Sequence, residues 1–115
     1  MAEVFVNQRE IWLCPFPFSD LSGKKVRPVL ILSNESYNSS CQDVVVCAVT
    51  AQIKYQPYSI VVDQRNCEQG NLLHESAIKV DSLFKLNKNL LLKSICKIDG
   101  LTFNIVKKSL LKILD

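Results

Sequence analysis

A chain of 115 residues, 48% of them hydrophobic, is long enough to bury one core and too short for two ordinary domains, so residues 1–115 read as a single domain. The net charge of +3 is too mild to identify a nucleic-acid binder by itself, and no uncharged apolar run reaches the ~18 residues of a membrane span. The opening MAEVFVNQRE lacks the basic-then-apolar order of a signal peptide, and five cysteines without a CxxC pair fit neither a disulfide framework nor a zinc site; the expectation is a cytoplasmic protein with reduced thiols and no membrane partner.

Short runs rich in Val, Ile and Leu, separated by Gly, Pro, Ser and Asn clusters, predict strands at 11–16, 26–32, 44–50, 58–62, 76–80 and 94–98. Cys14 and Cys47 fall inside two of these patterns and read as small buried hydrophobes. Pro15 and Pro17 cannot donate to a ladder, so the first strand must stop there and PFPFSDLSGKK becomes a loop. The final segment DGLTFNIVKKSLLKILD changes period. Phe103, Val106, Leu110 and Leu114 share one helical face and Asn104, Lys108 and Lys112 another, with Asp99 as N-cap and Ile98 stapled to Phe103. The sum is a mainly β chain, a small curled antiparallel sheet closed by a C-terminal α-helix.

Seven lysines against two aspartates in residues 85–115 leave about −2 on the first 84 residues, and an amphipathic helix needs a solvated face of this kind anyway. The catalytic inventory is narrow. His74 is the sole histidine, so an intrachain histidine acid–base pair and a histidine-rich metal site are excluded. The carboxylates are dispersed, and GxGxxG, GxxxxGK[ST] and GxSxG are all absent, which argues against metal-assisted phosphoryl transfer, nucleotide cradles and the usual hydrolase elbow. No cofactor or metal is expected.

What remains is a set of hydrogen-bond donors: Lys24, Lys25 and Arg27 lead into the second predicted strand, and Thr50 and Gln52 end the third. If those strands pair antiparallel, Arg27 approaches Thr50. A planar guanidinium fork with a hydroxyl beside it suits a phosphate, and could stabilise the dianionic transition state formed when a ribose 2′-hydroxyl attacks its own phosphodiester. The plainer alternatives are a strand-end Arg27 paired with Glu10 or Asp20, and Thr50 as an ordinary β-branched strand residue.

EIWLCPFPFSDLSGKKVRPVLILSN, followed by DVVVCAVTAQ and SAIKVDSLFKL, resembles the PemK/MazF family of toxin endoribonucleases, from about residue 9 to the C-terminal helix. The resemblance implies an SH3-like barrel of the MazF/CcdB type, a homodimer, and metal-independent cleavage of single-stranded RNA leaving a 2′,3′-cyclic phosphate and a 5′-hydroxyl. It matches Arg27 and Thr50 to the family's catalytic arginine and threonine. It also puts Phe18, Ser19, Lys24 and Lys25 in a loop over the RNA groove, where Phe18 either stacks on a base or packs in the core. Gln52 and Ser76 would then lie beside the groove as base-reading hydrogen-bonders. The implied partners are RNA and a cognate antitoxin whose disordered tail folds onto the toxin, with DNA contacted only through the antitoxin complex. Arg9-Glu10 stands where the family usually has Gly-Asp, and Asn71 and Glu75 stand near its usual Gly and Pro. Two other functions fit the same architecture: a non-enzymatic CcdB-like inhibitor of a protein such as gyrase, and a degenerate, inactive toxin.

Overall fold

The computed structural model describes residues 5–15 and 25–115. Among these residues seven antiparallel strands make one sheet: β1 (Glu10–Pro15), β2 (Val26–Ile31), β3 (Asp43–Thr50), β4 (Ser59–Val62), β5 (Cys67–Gly70), β6 (Ser76–Asn87) and β7 (Lys93–Ile98), in the spatial order β4-β6-β3-β2-β1-β7-β5. A short helix α1 (Glu35–Ser40) links β2 to β3, and α2 (Gly100–Leu114) ends the chain. Although β4 and β5 lie at opposite ends of that order, only residues 63–66 join them. Such a link spans at most about 18 Å, whereas seven flat strands would set their outer members about 29 Å apart. The sheet therefore curls into an SH3-like half-barrel, as the sequence led us to expect.

Alternation along each strand divides the apolar residues between two faces. The inner face carries Ile11, Leu30, Cys47, Val49, Ile78 and Ile98, closed by Phe103 and Val106 of α2. The outer face carries Cys14, Val29, Ile31, Val44 and Val46, with Trp12 and Phe84 at its margin. Cys14 and Cys47 are buried as expected, and burial pushes both thiols up, Cys47 to about 12.

Helix α2 begins where its cap predicts: the Asp99 carboxylate accepts from the Thr102 N–H at 2.7 Å, and Ile98 and Phe103 sit in the same inner cluster. One expected core position is corrected. Ile113, seven residues beyond the fully buried Val106, stays almost beneath it; Leu114 swings about 100° further round and is 73% exposed. The strand pattern missed α1 and β5 and ended β6 at Val80. Asp81 and Ser82 resemble a turn, but β3 is long enough to pair with both halves of β6, and a bulge opposite Cys47 and Ala48 absorbs them.

Arg9 accounts for one departure from the resembled family. Its φ is +80°, a left-handed conformation that favours glycine. Surrounding bonds hold the arginine there: its N–H donates to Ile31 O and its carbonyl accepts from Ile98 N–H, each at 3.0 Å. Its Nη1 donates to Glu68 Oε1 at 2.7 Å and to Ile98 O at 3.1 Å. The side chain thereby ties β1 to β5 and β7.

Candidate functional site

The β2–β3 ladder pairs Ile31 with Val46, Leu30 with Cys47 and Val29 with Ala48. Carried two residues further, the same register sets Arg27 opposite Thr50. On its other flank Arg27 faces Cys14 of β1, while Thr50 faces Ala77 of β6. Opposed residues in an antiparallel pair share a face, so Arg27 lies on the outer face with Cys14 and Val29, and Thr50 lies there with Val46 and Ala48. Arg27 is exposed and Thr50 half-buried. The Thr50 Oγ1 accepts the Gln52 backbone N–H at 3.1 Å, which fixes the oxygen where the strand ends and leaves its proton to donate outward.

Thr50 opens onto a groove of about 140 Å³. Its floor is Thr50 of β3, Ala77 and Lys79 of β6, and Ser59 of the edge strand β4; its wall is Gln52, Lys54 and Gln56, every second residue of the 51–58 segment. All of these except Ala77 carry a side-chain donor, and among the described residues no carboxylate lines it. Among the described residues neither the Lys54 nor the Lys79 ammonium is ion-paired or hydrogen-bonded. Tyr58, where the wall meets β4, has φ +63°, a costly conformation for an aromatic residue, and its carbonyl is held by the Val80 N–H at 3.0 Å. A pocket with this lining attracts an anion and can hydrogen-bond polar atoms around it.

The other expected site residues divide. Gln52 lines the groove, and Lys25 is exposed immediately before β2. Ser76 is 4% exposed, aligns with Val62 and Ile78 on the inner face, and donates its hydroxyl to His74 O at 2.9 Å, so it does not reach the groove. Phe18, Ser19 and Lys24 lie outside the described residues. Glu10 accepts the Asn7 N–H and the Trp12 Nε1–H on one oxygen; it stands four residues along β1 from Cys14, the partner of Arg27, a separation of roughly 13 Å. Glu10 is therefore neither a salt-bridge partner for Arg27 nor a proton acceptor beside it. Glu75 is exposed, acts electrostatically on Arg65 and does not line the groove.

The reading of the sequence passed over Lys54, Gln56, Ser59 and Lys79. Two local signals were available: the every-second-residue spacing of Gln52, Lys54 and Gln56, and the single charge interrupting the strand SAIKV. Convergence on one groove needs β4, which brings Ser59 beside Lys79. Among the described residues no group of three or more His, Cys, Asp or Glu is placed to hold a metal, and no helix is long and apolar enough to cross a membrane.

Residues 7–114 match the family model described as PemK-like, MazF-like toxin of type II toxin–antitoxin system. No curated protein sequence shows a significant match. Among solved structures, a MazE–MazF structure from Deinococcus radiodurans superposes with a TM-score of 0.79 at 17% identity, covering 96% of this chain and 97% of that one. The Mycobacterium tuberculosis toxin MazF-mt6 gives 0.75 at 20% identity over 93% and 97%. A mycobacterial endoribonuclease in complex with its cognate antitoxin gives 0.71 at 21% over 95% and 94%. The shared fold is a curled antiparallel sheet with a C-terminal helix.

Proposed function

This chain belongs to the PemK-like, MazF-like toxins of type II toxin–antitoxin systems, and from that premise we propose that it is a metal-independent endoribonuclease acting on single-stranded RNA. The observation that carries the proposal is Thr50 at the lip of a groove lined, among the described residues, by lysines and polar side chains and no carboxylate, with Arg27 on the neighbouring strand two residues beyond the last ladder pair, Val29 with Ala48. In the reaction the ribose 2′-oxygen attacks the adjacent phosphorus and the bond from phosphorus to the 5′-oxygen breaks. A 2′,3′-cyclic phosphate remains on one fragment and a 5′-hydroxyl on the other.

Arg27 contributes fixed positive charge and a two-pronged donor to the non-bridging oxygens, because a guanidinium keeps its proton across the working pH range. Thr50, its oxygen anchored by Gln52 N–H, donates one further bond to the same developing charge. Gln52, which lines the groove, is assigned to a base edge. Lys25, with Phe18, Ser19 and Lys24 of the preceding loop, is assigned to the RNA backbone and an unstacked base. The substrate is mRNA in the cytoplasm, the outcome is growth inhibition, and the active species is a homodimer. A cognate antitoxin covers the groove, as suits a chain whose structural neighbours include MazE–MazF assemblies.

The test incubates mixed-sequence single-stranded RNA with purified protein in EDTA and measures cyclic-phosphate ends. The parent is expected to produce them, and Arg27→Ala and Thr50→Ala each to slow cleavage on the order of 100-fold or more. A parent that leaves RNA intact, or an Arg27→Ala variant as fast as the parent, overturns the proposal. Gyrase inhibition with intact RNA would put the CcdB-like reading in its place.

A further inference from the structure

The groove continues past the two residues assigned to the reaction. From Thr50 it runs towards the edge strand β4, and the cation on its floor there is Lys79, two residues along β6 from Ala77, the residue opposite Thr50. Such a diagonal neighbour across an antiparallel pair lies about 7–8 Å away, comparable to one nucleotide step of an extended single strand. Lys79 aligns with Ser59 of β4 on one side and Ala48 of β3 on the other, so its half-buried stem is fixed within the sheet. Lys54 lines the same groove.

Two lysines whose ammonium groups are unpaired among the described residues therefore line one pocket with a hydroxyl, and no carboxylate among those residues joins them. Charges of like sign brought together in this way destabilise the empty fold slightly, and a bound anion relieves the repulsion. A groove of about 140 Å³ has room for one phosphate with its nearest solvent.

We infer that this part of the groove is a subsite for the phosphate next to the scissile one, held by Lys79 and Lys54 with the Ser59 hydroxyl. The inference rests on the reading that Arg27 and Thr50 act on RNA, and it gives the substrate a direction: the strand crosses the outer face from β2 towards β4, one phosphate at Arg27 and Thr50, its neighbour at Lys79. Gln52 and Gln56 line the wall beside that step, where their amides reach the intervening base. Lys79 is a positioning and affinity residue here, because it contacts the substrate away from the reacting atoms.

The experiment measures binding of mixed-sequence single-stranded RNA carrying 2′-O-methyl groups throughout, which cannot be cut by 2′-oxygen attack, as a function of salt. Lys79→Met keeps the aliphatic stem and removes the charge. It is expected to weaken binding on the order of tenfold at low salt and to make the slope of log affinity against log salt shallower by about 0.7, the loss of one phosphate contact. Lys79→Arg should restore the slope, and Lys108→Ala on α2 should leave it unchanged. In a second arm, the linkage next to the mapped cleavage position is made neutral with a methylphosphonate. This should slow the parent and have a smaller effect on Lys79→Met, in which only Lys54 and Ser59 still contact that phosphate.

An unchanged slope in Lys79→Met, or a methylphosphonate penalty as large in that variant as in the parent, overturns the subsite. The two readings fail separately. A protein that binds with the expected slope difference yet cuts nothing loses the catalytic assignment and keeps the subsite. One that cuts RNA in an Arg27-dependent manner with Lys79→Met indistinguishable from the parent does the reverse.

Discussion

Lysines occur in two settings in this molecule. Residues 85–115 hold seven of them, most of the lysines in the chain, yet much of that charge has structural employment: Lys85 approaches Asp43 at 3.9 Å, Lys88 donates to Asn38 O at 2.6 Å, and the Lys107 ammonium lies 5.8 Å from the Phe103 ring centre. Lys108 and Lys112 extend into solvent from α2. Among the described residues the groove is lined by Lys54 and Lys79, 25 residues apart in sequence. Charge density along a chain therefore does not locate a site. Convergence of unpaired charge on a concave surface does, because overlapping fields in a cleft favour an anion, whereas lysines around a solvated helix are each screened by water.

The contrast can be broken most forcefully from the helix side of the barrel. Phe103 is 4% exposed at the junction of α2 and the inner core, and Phe103→Ala should cost about 3–5 kcal/mol of unfolding free energy in denaturant melts, lowering activity only through the folded fraction. The Arg27 and Thr50 substitutions should do the opposite, removing on the order of 100-fold in rate with little change in melting temperature, since both lie at the open end of the outer face.

Asp99 gives a smaller effect. Asp99→Ala should cost ~1 kcal/mol by leaving a helix N–H group without its cap. The Asp99 carboxyl is held below the usual aspartate range, first by its hydrogen bond with Thr102. Its stabilisation is complete above the unfolded value of about 3.9 and fades as acidification carries the pH through the lower folded value. Thermal melts should thus show the parent losing stability below pH about 4, and Asp99→Ala losing less over the same range. Smallest of all is the double change Lys108→Ala with Lys112→Ala, which should alter RNA cleavage by less than about twofold, both side chains being exposed on a solvated helix face. A large loss there would move the nucleic-acid surface onto α2 and erase the distinction drawn above.

Much of the fold was legible because its signals are local. The Asp99 cap, the Phe103 and Val106 stripe and the strand periods of EIWLCP, VRPVLI and DVVVCAVT each depend on residues within one or two turns or strand repeats. The bulged continuation of β6 was not legible, since Asp81 and Ser82 look like a turn until a partner strand is present. Within the site, Arg27 and Thr50 could be named from chemistry and an assumed antiparallel pairing. Ser76 was named as well, and its inward direction followed only from its register opposite Val62.

By itself, then, the sequence determined where α2 and most of the strands form and which residues are apolar enough to fill most of the core, and it offered two donors of a kind that suits a phosphate. The tertiary structure alone decided that a left-handed Arg9 ties together three strands, that the sheet curls far enough for four residues to join its ends, and that Ser59 and Lys79 meet beside Thr50. The reason is physical. Propensity and capping act over a few residues, whereas strand register couples positions at any separation, and a groove exists only where several registers are satisfied together.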